Sequence, residues 1–441
     1  MSEKLSTKPY KGTRDFYPDE MRQRTKVFSS LEKTVRSFGF EKIDAPIVEP
    51  IEIYLAKTSE EIVNQQIYSF IDRGERRVAI RPEMTPTVAR MFSGKARELP
   101  RPVRWFSIPN LWRYEQPGKG RLREHWQLNC DILGAPDEFL ADAEIIMLAV
   151  EILKSLGATQ SQFIVKLSHR EILNSFFEKR LGLAKENWPT IARILDKKEK
   201  ISGEEFSSFL SAAGIDAVGQ EQILNFLTGG LQWLRENPEI DGAGYLLELM
   251  ALLEKSGYSE HLAYDPGVVR GFDYYTGIVF EVFDTSGENR RSLFGGGRYD
   301  KLVSAFIKEE INAVGFGMGD VTLFDFLQTH QILPGPQREL QVFVASFPTP
   351  EDQVNSFRLA REIRNLGIPA EMGLGPAKLG KQLAEAAGKK ISFAIIQGLE
   401  EKDRGVVQIK NLETGEQVEI PEEEIVEQVK AMAGDRYDTQ K

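Results

Sequence analysis

Val268-Val-Arg-Gly-Phe-Asp-Tyr-Tyr-Thr-Gly-Ile-Val-Phe-Glu281 sets an arginine, an aspartate and two adjacent tyrosines directly ahead of an apolar run. The run Ile278–Phe283 alternates as a half-buried strand does. Gly271 and Gly277 flank the polar cluster and let the backbone bend on either side of it. The stretch predicts a small pocket holding a cation, an anion and two phenol hydroxyls.

The surrounding chain bounds what such a pocket can serve. Its 441 residues suit two to three domains with a real core. The apolar content of 41% is that of a globular chain, and no apolar run approaches a membrane span. The N-terminus Met1–Lys11 is polar and has no signal-peptide character, and Cys130 stands alone. Both point to a cytoplasmic protein without disulfides. A net charge of −10 argues against a dedicated sequence-reading nucleic-acid module, while leaving room for a local basic groove. Four scattered histidines and one cysteine make no structural zinc motif, so no protein-built metal site is expected. A divalent ion would arrive with a phosphate substrate.

Upstream of the opening stretch, residues 1–17 read as a polar arm, and Pro18 opens a helical pattern to Phe38 that Gly39 stops. A strand is expected over Lys42–Glu49, with others at Arg77–Ile80, Val103–Ile108 and Trp126–Leu133. Helices are expected over Pro86–Phe92 and Asp137–Leu156, and a strand near Phe163–Leu167. Ser168-His-Arg-Glu171 has capping-box spacing and opens a helix-rich block, about 170–255, read as an insertion. Strands resume at Ile278–Phe283, Ser292–Gly295 and Ala313–Met318. Leu333-Pro-Gly-Pro336 reads as a linker. The pattern beyond it is βαβ-like and predicts a small α/β domain over 338–433 with a largely parallel sheet. Its first helix, capped by Thr349, would bury Val354, Phe357, Ala360 and Ile363. The tail Gly434–Lys441 reads as disordered.

Two strands around a loop of glycines and cations make the second constellation. Leu111-Trp-Arg-Tyr-Glu115 leads into Gly118, Lys119, Gly120, Arg121 and Arg123, and His125-Trp-Gln-Leu-Asn-Cys-Asp131 follows. Strand alternation puts Trp126, Leu128, Cys130 and Ile132 on one face and Gln127, Asn129 and Asp131 on the other. Such a polar face is either a solvated sheet surface or one that binds something.

The opening stretch closely resembles the histidine-binding signature of histidyl-tRNA synthetases. Arg113-Tyr-Glu115 with its loop resembles motif 2 of class II aminoacyl-tRNA synthetases, and Ile80-Arg-Pro-Glu-Met-Thr85 and Phe294-Gly-Gly-Gly-Arg-Tyr-Asp300 are similar to further family segments. The resemblance implies a 1–330 catalytic domain of α+β class. It would be an antiparallel sheet flanked by helices, with a helical insertion and a C-terminal α/β anticodon-binding domain. It implies L-histidine, ATP with Mg²⁺, and histidine tRNA as partners, and a homodimer built on the Pro18–Phe38 helix and the strand carrying Pro46; an ordinary amphipathic helix on its own core is the other reading.

The residue roles implied are specific. Arg113 would hold the α-phosphate of ATP, and Glu115, Arg121 and Arg123 would join it. Arg270 would sit near the substrate carboxylate and α-phosphate, or else pair with Asp273 or Glu281. A neutral imidazole has one donor and one acceptor, so Glu83 accepting and Tyr275 donating would select it. Tyr274 lies beside them. Thr85, Gln127 and Asp131 would take the α-amino end, with Gln127 also on the carbonyl oxygen. The loop start Gln116–Gly118 would meet the tRNA acceptor end.

The pattern breaks at motif 3. The family's Gly-Leu-Glu-Arg-Leu is replaced by Gly319-Asp-Val-Thr-Leu323, so Thr322 stands where an arginine grips the γ-phosphate. Either another cation serves, with Arg121 and Arg123 as candidates, or the chain is a paralogue. One such paralogue class is the histidine-sensing regulatory subunit of ATP phosphoribosyltransferase. An RNA-binding protein using the C-terminal domain alone is a further alternative, against which the Arg113–Arg270 pair counts.

Overall fold

The computed structural model describes residues 5–55, 66–195, 198, 201–268, 275–289, 291–336, 341–375 and 377–433. The chain divides into two compact units, Met1–Gly335 and Pro336–Lys441. No helix among the described residues is long and apolar enough to cross a membrane.

The first unit is built on a nine-stranded sheet among the described residues. Its path runs Glu41–Lys42, Val103–Ser107, Glu124–Leu133, Ala313–Gly319, Ser292–Arg298, Ile278–Asp284, Phe163–His169 and Leu262–Tyr264, and Asn110–Trp112 also pairs with Glu124–Leu133. The pairings are antiparallel except at the two ends, where Glu41 lies parallel to Trp105 and Val165 parallel to Leu262. Glu124–Leu133 buries Leu128, Cys130 and Ile132 in the main core, against the helices Pro18–Ser37 and Glu138–Ser155. The helix Pro18–Ser37 sends Val27, Leu31 and Val35 into that core, as its apolar spacing dictates.

Several expectations are corrected. The continuous strand over Lys42–Glu49 is broken, since Glu41–Lys42 joins the large sheet while Val48–Pro50 joins a separate three-stranded sheet with Arg77–Ile80 and Tyr68–Ile71. Ser168 does not cap a helix. The strand runs on to His169, whose imidazole Nδ1 accepts the Glu171 backbone N–H at 3.2 Å and caps the helix Arg170–Ser175 instead.

Between Phe163–His169 and its sheet neighbours come the helices Arg170–Ser175, Trp188–Leu195, Gly203–Ala212, Ala217–Thr228, Gly230–Glu236 and Ala243–Leu253. Phe176 and Phe226 stack at 4.1 Å inside this block, with the Trp233 ring edge-on to both. Tyr245, on the last of these helices, donates to buried Asp142, which also holds Arg298 at 2.6 Å.

The second unit has a mixed sheet, ordered Ala370–Met372, Val342–Val344, Phe393–Ile396, Val406–Asn411 and Gln417–Pro421. Its first three strands are parallel and the closing hairpin is antiparallel, which corrects the largely parallel expectation. Thr349 does cap the helix Pro350–Asn365, accepting from the Asp352 N–H at 3.2 Å. The buried face of that helix differs from the expected one. Val354 is 70% exposed and Phe357 56%, while Leu359, Ala360 and Ile363 face inward beside Asn355 and Ser356.

Candidate active site

The polar face of Glu124–Leu133 opens on a cleft. Glu83, Thr85, Arg113, Gln127, Asn129 and Tyr275 line one cavity there, walled by Gly295, Gly315, Gly317 and Tyr299. Five of the residues singled out in the sequence, Glu83, Thr85, Arg113, Gln127 and Tyr275, are thus brought together.

Two glycines make the space. A Cβ on Gly317 would lie 2.8 Å from the Gln127 side-chain carbon, and one on Gly315 would lie 2.4 Å from the Asp131 carboxylate. Gly315 opposes Asp131 directly across the antiparallel ladder, while Gly317 opposes Asn129 and meets Gln127 on the diagonal. Only a bare backbone lets these side chains lie flat against the neighbouring strand.

At one end stands the buried Glu83, just before the helix Thr85–Lys95. No side chain caps that helix, so neither Glu83 nor Thr85 is consumed in the capping role that competes with ligand binding. The Tyr275 ring lies against Gly297, where an added Cβ would come within 3.0 Å of it. Burial, then the charges of Glu83 and Asp131, raises the Tyr275 phenol well above its ordinary range, so it stays a hydrogen-bond donor. Asp131 sits behind Tyr299, which donates to its carboxylate. Burial pushes Asp131 up to about 7, against the lowering effect of that hydrogen bond.

Arg113 is oriented by its own backbone and side chain. Its Nε donates to the Pro82 carbonyl at 2.9 Å, and its N–H to the Arg123 carbonyl at 2.8 Å. No ion pair holds its guanidinium among the described residues. Gln127 stands beyond it, and Asn129 donates to the Gln127 carbonyl at 3.0 Å.

The loop cations divide. Arg121 pairs with Glu115 at 3.4 Å and is half exposed. Arg123 is not brought to the cleft. It is buried, donates to the Tyr10 hydroxyl at 2.7 Å and lies 4.0 Å over the Tyr114 ring. The N-terminal segment makes this anchor, because the Gly12 carbonyl also accepts the Arg123 N–H at 2.8 Å. Asp320 completes the anchorage. Its carboxylate accepts from Arg14 at 2.7 Å and from the Trp126 N–H at 3.0 Å, while Arg24 lies 3.7 Å over the Trp126 ring.

Arg270 and Tyr274, with Asp273, lie outside the described residues. Two residues at the site were missed as site candidates. Tyr299 belongs to the Gly-Gly-Gly-Arg-Tyr stretch, and Asn129 falls on the polar face without a role of its own. His125 is one alternation step before Gln127 on the same strand, near enough to Arg113 to feel its charge. Its imidazole is held down at about 3 by burial, then by Arg113 and Arg14, and is therefore neutral.

The family profile described as histidyl-tRNA synthetase matches residues 12–321, and an anticodon-binding-domain profile matches 341–432. The chain belongs to the histidyl-tRNA synthetase family. It is 45% identical to a histidine–tRNA ligase of Leptospira biflexa, over 97% of this chain and 98% of the relative. The solved histidyl-tRNA synthetase of Nostoc has the same fold at a TM-score of 0.81 and 25% identity, covering 97% of this chain and all of that one. A Bacillus halodurans structure titled as an ATP phosphoribosyltransferase regulatory subunit/histidyl-tRNA synthetase shares the fold at a TM-score of 0.72. At 22% identity, over 88% of this chain and 97% of that one, it speaks to fold alone.

Membership of the histidyl-tRNA synthetase family gives Thr322 its interest. Its hydroxyl donates to the Leu293 carbonyl at 2.7 Å, so the helix Asp320–Thr329 starts on a local hydrogen bond in place of a cation.

Proposed function

We propose that the chain is a histidine–tRNA ligase that activates L-histidine with ATP and transfers it to the 3′ end of histidine tRNA. One observation carries this reading. A carboxylate and a phenol, Glu83 and Tyr275, line the same cavity as a guanidinium, Arg113. Glu83 accepts from one imidazole nitrogen and Tyr275 donates to the other, so the neutral ring is matched at both ends. An apolar analogue would leave both groups unpaired in a buried site.

The α-amino group faces Thr85, Gln127 and Asp131. The substrate carboxylate attacks the α-phosphorus, and pyrophosphate leaves. Arg113, with Arg270, stabilises the charge that develops there, because positioning and fixed positive charge do nearly all the work in such transfers. Gln127 holds the carbonyl oxygen. The terminal ribose hydroxyl of the tRNA then attacks the adenylate carbonyl and AMP leaves.

Mg²⁺ accompanies the ATP phosphates and offsets their charge. The ion would arrive with the ATP, whose phosphate oxygens would supply ligands for it.

The second unit would take the anticodon stem, and the working form would be a cytoplasmic homodimer. Ile47, Val48, Leu55, Phe70 and Ile71 supply an exposed apolar surface on and around the three-stranded sheet, which suits a partner copy.

The test is histidine-dependent exchange of labelled pyrophosphate into ATP, with Arg113→Ala as control. Exchange that needs histidine and is lost in the variant supports the ligase. Tight histidine binding without exchange would replace it with the regulatory paralogue.

A further inference from the structure

A second cavity lies where the sheet meets the helix Asp320–Thr329. Lys119, Gly120, Asn289, Arg291, Leu293 and Thr322 line it. The strand Ser292–Arg298 contributes to both cavities, Gly295 to the first and Leu293 to the second, and Thr322 of the helix follows the strand that carries Gly317. The loop tip closes over the top, since a Cβ on Gly120 would lie 3.4 Å from the Thr322 methyl.

Two cations reach this cavity from different loops. Lys119 comes from the glycine-rich loop, and its Nζ donates to the Glu288 carbonyl at 3.3 Å. That contact ties the loop tip to the turn that carries Arg291. The turn itself is anchored. Buried Asp284 accepts from the Ser286 N–H at 2.8 Å and the Asn289 amide at 2.8 Å, and its carboxylate lies 2.9 Å from His330 Nε2. Arg291 is exposed, and neither an ion pair nor a hydrogen bond occupies its guanidinium among the described residues. The acids at this cavity are Glu288 and Asp325, and burial raises the Asp325 carboxyl.

We propose that Arg291, assisted by Lys119, binds the β- and γ-phosphates of ATP in this cavity and supplies the positive charge that Thr322 cannot. The inference rests on the ligase reading. When the histidine carboxylate oxygen bonds to the α-phosphorus, the bond from that phosphorus to the bridging oxygen breaks. The electron pair stays on the bridging oxygen, which becomes a charged β-phosphate oxygen of the leaving pyrophosphate. A guanidinium there stabilises the leaving group as it forms. Thr322 spends its hydroxyl on the Leu293 carbonyl, and Arg123 is buried against Tyr10 and Tyr114. Arg121 is the competing cation, but its guanidinium is paired with Glu115.

The experiment compares the full-length wild-type protein with Arg291→Ala, Arg291→Lys and Arg121→Ala. KM for ATP and for histidine are read in pyrophosphate exchange, and ATP and AMP binding by calorimetry. Arg291→Ala should raise the ATP KM or dissociation constant about ten- to a hundredfold, as loss of a charge-assisted phosphate contact does. It should leave AMP binding and the histidine KM within about twofold, a change too small to reflect a lost contact. Arg291→Lys should recover part of the loss. An unchanged ATP constant in Arg291→Ala, with a large rise in Arg121→Ala, would overturn the proposal in favour of Arg121. Equal loss of AMP and ATP binding would overturn it by giving the cavity to the nucleoside. Absence of exchange in the wild type would count against the ligase reading instead, and the ATP-against-AMP comparison would still decide the role of Arg291.

Discussion

The two ends of the cleft are built differently. At the proposed histidine end the groups are short and buried: Glu83, Asp131 and Tyr299 are all nearly inaccessible, and Asp131 lies against bare Gly315. At the proposed phosphate end the groups are long cations on loops, with Arg121 half exposed and Arg291 on an exposed turn. The contrast follows from what each end must recognise. A neutral ring is told from its analogues only by matched, desolvated hydrogen bonds, which demand rigid placement. A polyphosphate is recognised by charge, which tolerates movement and lets a loop follow the substrate.

The sharpest way to break this comparison is at the rigid end. Glu83→Ala should lower kcat/KM for histidine activation by about a thousandfold, because the imidazole N–H then has no acceptor in a buried site. Exchange kinetics at varied histidine would measure it. A drop below tenfold would mean that Glu83 does not meet the ring. Arg113→Ala comes next, with about a hundredfold loss in kcat and a smaller effect on histidine KM. Equal losses in kcat and in histidine affinity would move Arg113 away from the phosphate.

The Asp131 carboxyl sharpens the comparison through pH. It is pushed up to about 7 in the folded chain from an ordinary 3.8, so the folded state holds its proton more tightly. Stability from this group is complete below pH 3.8 and is lost as pH rises through about 7. Asp131→Asn should therefore gain stability relative to wild type as pH rises from 3.8 to about 7, read from denaturant midpoints, while binding histidine about tenfold more weakly. A pH-independent difference between the two proteins would refute the burial argument. The smallest effect is expected at Arg123. Arg123→Ala should cost about 1–2 kcal/mol of stability through lost packing and hydrogen bonds, with the ATP KM nearly unchanged. A large rise in ATP KM without destabilisation would return Arg123 to the nucleotide.

The polar strand at the centre of the site was legible because its period of two survives intact. Gln127, Asn129 and Asp131 alternate with the buried Leu128, Cys130 and Ile132 without a bulge. The contacts that give those residues their properties were not legible. Tyr299 is 168 positions from the Asp131 it meets, and no local pattern joins them. The misread helix start at Ser168 has a simple cause. A histidine ring nitrogen can serve as the cap acceptor, and the serine one position earlier belonged to the strand. The misread face of Pro350–Asn365 has another. Its buried stripe includes polar residues that are satisfied internally, with Ser356 donating to the Ala345 carbonyl at 2.9 Å and Asn355 to Gln397 at 2.7 Å. Apolar spacing alone therefore pointed to the exposed Val354 and Phe357.

The Arg14–Asp320 pair has a consequence for biosynthesis. Its two residues are 306 positions apart, and the Trp126 N–H shares the same carboxylate. A ribosome that has delivered the glycine-rich loop has not yet supplied the acid that fastens both the loop's returning strand and the leading segment. The nascent chain must keep those parts waiting until Asp320 has left the exit tunnel. Competence for nucleotide is thus a late event of translation, and a chain released early would carry much of the sheet but an unfastened loop.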